Sequence, residues 1–263
     1  IHRACYGGHL SVCQWLFEVG AAGDITKTDD MGHTPMHRAC NGGHLSVCQW
    51  LFEVGAAGDI TKANNSDDTP MLGACYGGHL SVCQWLFEVG AAGDITKTDD
   101  MGHTPMHWAC NGGHLSVCQW LFEVGAAGDI TKANNSDDTP MYRACYGGHL
   151  SVCQWLFEVG AAGDISKPNN IGFTPMHWAC HGGHLSVCQW LFEVGAAGDI
   201  TNANSHGITP MHWASYGGHL SVCQWLFEVG AAGDITKTDN IGDTPMHIAC
   251  KGGHLSVCQW LVL

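Results

Sequence analysis

Cysteine and histidine recur together in this chain as Cys40-x3-His44-x3-Cys48, and the same triplet returns along its length. Thiolate and imidazole are the ligands zinc prefers, so a metal site is the first chemistry to weigh. Two features oppose it. Ligand sulfurs must lie about 2.3 Å from one zinc, whereas helices carrying successive copies would pack about 10 Å apart. Ser215 also replaces the first cysteine in one copy, which an obligatory ligand would not permit. Free cysteine prefers burial, so core thiols are expected, with no metal and no other cofactor.

Histidine also stands in the Thr-Pro-Met-His segments, at His37, His107, His177, His212 and His247, with His2 in the same register. General acid or base work would need such a ring opposite a nucleophile or carboxylate in a cleft. The sequence offers no paired partner, and Leu72 and Tyr142 interrupt the series. Gly-Gly-His-Leu lacks the preceding strand and the lysine of a phosphate loop. No catalytic residue is expected, and the chain reads as non-enzymatic.

The elements that position these residues are copies of one unit. Thr-Pro opens at Thr34, Thr69, Thr104, Thr139, Thr174, Thr209 and Thr244, a period of about 35 residues. Residues 1–33 form an earlier partial copy, and 34–68, 69–103, 104–138, 139–173, 174–208 and 209–243 are full copies. Residues 244–263 are a copy cut short, and one continuous array over 1–263 is expected. Lys27 to His33 returns at Lys97 to His103, and Lys62 to Asp68 at Lys132 to Asp138, which points to a duplication of two units at once.

Within a unit, Thr34 is a good N-cap and Pro35 fits the first helical position, where its missing N–H has no partner to lose. A short helix is expected from Pro35 to about Asn41. Gly42 and Gly43 permit a tight reversal, and a second helix is expected from His44 to Val54, stopped by Gly55. Leu45, Cys48, Leu51 and Phe52 form one apolar stripe, with Val47, Trp50 and Val54 beside it. A hairpin so apolar must be covered by neighbouring copies. The link rich in Gly, Asp, Asn and Thr up to Asp68 reads as extended or turning. Gly32 and its equivalents suit a turn with positive φ, and Asp67 and Asp137 occupy that place in two copies.

Thr-Pro-Met-His-Trp-Ala-Cys, Gly-Gly-His-Leu-Ser-Val-Cys and Glu-Val-Gly-Ala together resemble the ankyrin repeat, over essentially the whole chain. The family's usual period is about 33 residues, and an additional pair, Ala57-Gly58 in one copy, lengthens the link after the second helix. The resemblance implies an all-α solenoid of stacked helix-turn-helix repeats, with short helices lining a concave side and projecting β-hairpin fingers. It implies that the Thr-Pro-Met-His histidine ties the helix start to neighbouring backbone, and that Cys40 and Cys48 replace core residues. Trp15, Trp50, Trp85, Trp120, Trp155, Trp190, Trp225 and Trp260 fall on the apolar second helix, so core packing is their expected role.

Recent duplication preserves residues whether or not they matter, so the differences between copies are more informative. In the first helix they fall on a pair three apart, which shares one face: Arg38 with Asn41, Gly73 with Tyr76, Trp108 with Asn111, Arg143 with Tyr146, Trp178 with His181, Trp213 with Tyr216, and Ile248 with Lys251. The finger tips vary too: polar tips dominate early and apolar ones appear from Ile171 onwards, with Phe173 and Ile208. In ankyrin-like proteins both regions border the concave groove. The expected partner-binding residues are therefore Arg38, Asn41, Tyr76, Trp108, Asn111, Arg143, Tyr146, Phe173, Trp178, His181, Ile208, Trp213 and Tyr216. Phe173, Trp178, Ile208, Trp213 and Tyr216 should form an apolar patch of hot-spot residue types.

The chain has 263 residues, 45% of them hydrophobic and 13% charged, a composition suited to a folded body. Its formal charge is −14, which opposes nucleic acid and anionic membranes and favours a basic or neutral protein partner. No apolar run is long enough to span a membrane. Fifteen cysteines, an odd number at repeated places, favour free thiols and hence the cytoplasm or nucleus. The start at Ile1 and the apolar end at Val262 and Leu263 suggest a fragment whose ends fray or continue, a monomer or part of a larger polypeptide. The leading expectation is a protein-interaction module, an adaptor or scaffold. Its rivals are the substrate-recruiting or regulatory arm of a larger enzyme, such as a kinase or ubiquitin-ligase component, and a structural spacer.

Overall fold

The structure, a computed structural model, describes residues 1–262; Leu263 lies outside them. Its contacts gather into two compact units, residues 1–135 and the residues from Ser136 on. The first unit contains α1 His2–Tyr6, α2 Leu10–Glu18, α3 Pro35–Asn41, α4 Leu45–Leu51, α5 Pro70–Tyr76, α6 Leu80–Leu86, α7 Pro105–Asn111 and α8 Leu115–Leu121. The second contains α9 Pro140–Gly147, α10 Leu150–Leu156, α11 Pro175–His181, α12 Leu185–Leu191, α13 Pro210–Tyr216, α14 Leu220–Leu226, α15 Pro245–Gly252 and α16 Leu255–Leu261. In each unit the pairs stack, first helix on first helix and second on second. The fold is the all-α, ankyrin-type stack of helix-turn-helix repeats.

Helix starts follow the local chemistry. Thr34 is extended (φ −87°, ψ 166°) and Pro35 opens α3. The Thr34 N–H donates to His37 Nδ1 at 3.1 Å, and the His37 N–H donates back to Thr34 Oγ1 at 3.4 Å. This reciprocal pairing is a capping box in which imidazole replaces the usual carboxylate. It recurs at Thr104/His107, Thr174/His177, Thr209/His212 and Thr244/His247. Because Nδ1 accepts, the proton sits on Nε2. That Nε2 donates to the Asp68 carbonyl of the next finger at 3.1 Å for His37, and to Ile208 at 3.3 Å for His177. One neutral ring thus both caps its helix and ties it to the following copy. Tyr142 serves the second purpose differently, its buried hydroxyl reaching the carbonyls of Lys167 and Phe173.

Gly43 turns the chain between the two helices at φ +76°, and a Cβ there would stand 2.3 Å from the His79 ring. Only glycine satisfies both conditions. The second helix differs from expectation. Regular α-helix ends at Leu51, three residues early, and a wider turn over Phe52–Ala56 follows, broken at Gly55 (φ 120°). The link is not simply extended either, since Ala57–Thr61 forms a 3₁₀ turn. The fingers are compact loops rather than β-hairpins: no strand forms among the described residues. Neighbouring fingers nevertheless join through backbone bonds, Asn65 N–H to Met31 O at 3.0 Å and Asp100 N–H to Ser66 O at 3.0 Å.

Asp67 and Asp137 adopt φ 61° and 63° in the finger turn, where other copies place glycine. An L-residue pays a steric cost in this left-handed region. Asp67→Gly should therefore raise unfolding free energy by a few tenths up to about 1 kcal/mol. Chemical denaturation checks this, and a loss of stability would show that the Asp67 side chain contributes something the turn geometry does not require.

The core lies between helix layers. Met36, Ala39 and Cys40 from α3 meet Val47, Cys48 and Leu51 from α4, all fully buried. The tryptophans are not part of it, contrary to expectation. Trp50, Trp85 and Trp120 are half-buried. Each meets a phenylalanine of the preceding copy edge-on, Phe17 with Trp50 and Phe52 with Trp85 both at 5.8 Å between ring centres. Leu51 is the residue buried between the layers, and the neighbouring indole lies half-buried against Phe17.

Candidate protein-binding surface

The cysteine-histidine triplet separates in three dimensions. Cys40 and Cys48 Sγ atoms touch at 3.5 Å, but His44 turns away and its Nε2 donates to the Tyr6 carbonyl at 2.9 Å. Among the described residues no group of three or more His, Cys, Asp or Glu is placed to hold a metal ion. Desolvation pushes the Cys40 thiol well above its ordinary range, as it does Cys75, Cys145 and Cys180. Thiols of that kind are poor nucleophiles. The capping histidines face backbone rather than a carboxylate, and burial pushes His37 and His177 down to about 4.

In each unit the fourth and seventh residues of the seven- and eight-residue first helices form a strip that is half-buried to exposed. In the first unit, Arg38 leans back onto the finger, its Nη2 2.5 Å from Asp29 Oδ2. Trp108 does the same with a different group, donating its indole N–H to Asp99 Oδ2 at 3.1 Å. His103, at the finger position before Thr104, is buried and pairs with the same carboxylate at 3.0 Å. Tyr76 is 49% exposed and meets Trp108 edge-on at 5.4 Å. Asn41 and Asn111 are half-buried along the same line.

In the second unit the strip becomes aromatic. Tyr146 meets Trp178 at 5.4 Å and lies parallel to His181 at 5.9 Å. His181 then contacts Trp213 at 4.6 Å and stacks on Tyr216 at 5.9 Å, while Trp178 and Trp213 lie nearly parallel at 6.2 Å. Burial, with His219 nearby, holds the His181 imidazole below its ordinary range and so favours the neutral ring. Arg143 Nη2 reaches Asp138 Oδ2 at 3.4 Å at the edge of this cluster. Contiguous aromatic surface of this kind is uncommon on a surface without a partner.

Two expected contact residues are placed differently from the rest. Phe173 was expected in the exposed patch but is only 6% exposed, wedged beneath Trp178 at 5.4 Å and Trp213 at 5.6 Å. It supports the two indoles instead of presenting its own face. Ile208 is half-buried beside Trp213's helix start. The exposed finger tips are Met31, Met101, Ile171 and Ile241, because the finger turn alternates one residue outward and the next but one inward. Sequence variability pointed to both positions but could not say which of them faces out.

No helix among the described residues is long and apolar enough to cross a membrane. No protein of curated function matches the chain. The family model described as ankyrin repeats (3 copies) matches in overlapping segments, residues 1–99, 56–134, 74–169, 124–202, 162–239 and 197–263. Ankyrin repeats are generally protein–protein interaction modules. With helix pairs capped by Thr-Pro, tied finger to finger, and matched from end to end by that model, the chain belongs to the ankyrin-repeat family.

Proposed function

We propose that this chain is a non-enzymatic adaptor or scaffold that holds a protein partner on its first-helix and finger surface. The observation that carries the reading is the cluster of Tyr146, Trp178, His181, Trp213 and Tyr216, whose rings contact one another while Tyr146 and Tyr216 remain exposed. Rigid aromatic area offered at low entropic cost is what interface hot spots are made of. The −14 net charge favours a partner with a basic or neutral face, and repeated free thiols suit the cytoplasm or nucleus.

The test begins with a partner captured on the intact chain and identified. Trp178→Ala with Trp213→Ala should weaken that partner at least about a hundredfold, since each hot spot is worth about 2 kcal/mol or more. Circular dichroism and melting must show the fold retained. Unchanged affinity in a folded double variant would remove the aromatic cluster as the binding site.

A further inference from the structure

Two stretches of this chain, residues 62–95 and 132–165, differ at only two positions: Leu72 against Tyr142 and Gly73 against Arg143. The copies are therefore a natural substitution experiment within one molecule. In the second unit Arg143 answers the finger carboxylate of Asp138 at 3.4 Å. In the first unit the corresponding carboxylate, Asp68, receives Asn64 Nδ2 at 3.0 Å. Among the described residues, no lysine or arginine pairs with it, because Gly73 has no side chain to offer.

Gly73 is not required by the backbone. It lies inside α5 without a positive φ, and an added Cβ would meet Asn41 Cβ at an ordinary 3.5 Å. Glycine in a helix interior is less stable than alanine would be. Its consequence here is a carboxylate without a basic partner beside a cavity of about 230 Å³ lined by His33, Asp68, Leu72, Gly73, Tyr76 and Trp108; the equivalent cavity of the second unit has Arg143 in its wall. The cavity at Gly73 is small for a drug-sized ligand and suits a single side chain. Burial, and repulsion from Asp99 and Asp100, disfavour the charged form of Asp68, while Asn64 and His33 favour it. A cation entering the cavity would relieve that imbalance.

We propose that the cavity at Gly73 seats one arginine side chain of a partner protein, its guanidinium on Asp68 and its stem against Tyr76 and Trp108. The second unit shows an arginine of the chain itself on the equivalent carboxylate, Asp138. A planar guanidinium can bond a carboxylate with two N–H groups and lie against an aromatic face, which an ammonium does less well. This inference rests on the proposed protein-binding role and adds one element of the partner's chemistry.

Random peptides displayed on phage are selected on the intact chain, with counter-selection on Gly73→Arg, whose guanidinium should occupy Asp68 as Arg143 reaches Asp138. Gly73→Ala controls for loss of the glycine itself. The recovered peptides should share an arginine. Replacing it with citrulline, which keeps the shape without the charge, should weaken binding about tenfold or more, and Asp68→Asn should abolish the difference between the two peptides. Equal affinity for the citrulline peptide, a shared lysine in place of arginine, or no peptide that distinguishes the chain from Gly73→Arg would overturn the assignment. If Trp178→Ala with Trp213→Ala weakens the captured partner while Gly73→Arg and Asp68→Asn do not, the binding surface stands and the arginine seat falls.

Discussion

Acidification from neutral pH to about 4 is expected to destabilise the fold by on the order of 3 kcal/mol for each of His37 and His177. Both rings are buried, and desolvation lowers them from 6.5 to about 4. Above about 6.5 the ring is neutral in the folded and unfolded chains alike, so it adds no pH dependence. As the pH falls below that, the unfolded chain takes up the proton first, and the folded state loses ground until its own ring protonates near 4. The geometry gives the reason: Nδ1 already accepts the Thr34 N–H, so a proton placed there would point at another proton. His212 shifts in the same direction for the same cause.

An opposing contribution enters at the acid end. Burial raises Asp59, Asp94, Asp129, Asp164, Asp199 and Asp234 above the usual carboxylate range. Their protonation favours the folded state, so part of the loss is recovered as the pH falls towards that range. Urea titrations at a series of pH values should show stability declining from about pH 6.5, with a shallower slope in His177→Leu, the residue type found naturally at position 72. A stability that stays level down to about pH 4.5 would show that the capping rings are not held neutral by the fold.

Leu86→Ala should cost about 3–5 kcal/mol, and Trp85→Ala, one residue away and much larger, only about 1–2 kcal/mol. Leu86 is fully buried between helix layers, and its removal leaves a cavity that packed neighbours cannot collapse into. Trp85 is half-buried and contributes mainly its edge-on contact with Phe52 and the surface it covers. The reversed size order is the diagnostic result, read from denaturant midpoints of the two single variants. A tryptophan loss exceeding the leucine loss would place the indoles in the core after all.

Much of this architecture was legible because single residues carry its local physics. Thr34 and Pro35 announce a helix start through one hydroxyl and one missing N–H. Gly32 and Gly43 mark positive φ through one missing Cβ, and Asp67 and Asp137 kept that conformation where the glycine was absent. The apolar circumference of the second helix likewise required stacking, since no isolated hairpin could cover it.

Where each side chain comes to rest depended on neighbours about 35 positions away. Periodicity put Trp50 on an apolar face but could not tell that Leu51 would be the residue buried between the layers and the indole half-buried. Variability marked Phe173 and Trp178 alike, yet the finger turn buries the first beneath the second. That Asp68 lacks the basic partner its counterpart Asp138 finds in Arg143 follows from which side chains the fold brings to the finger. Local conformation follows from the sterics and hydrogen bonds of a few adjacent atoms, which the sequence by itself determines. Burial and emptiness are set by which surfaces meet, and only the tertiary structure decides that.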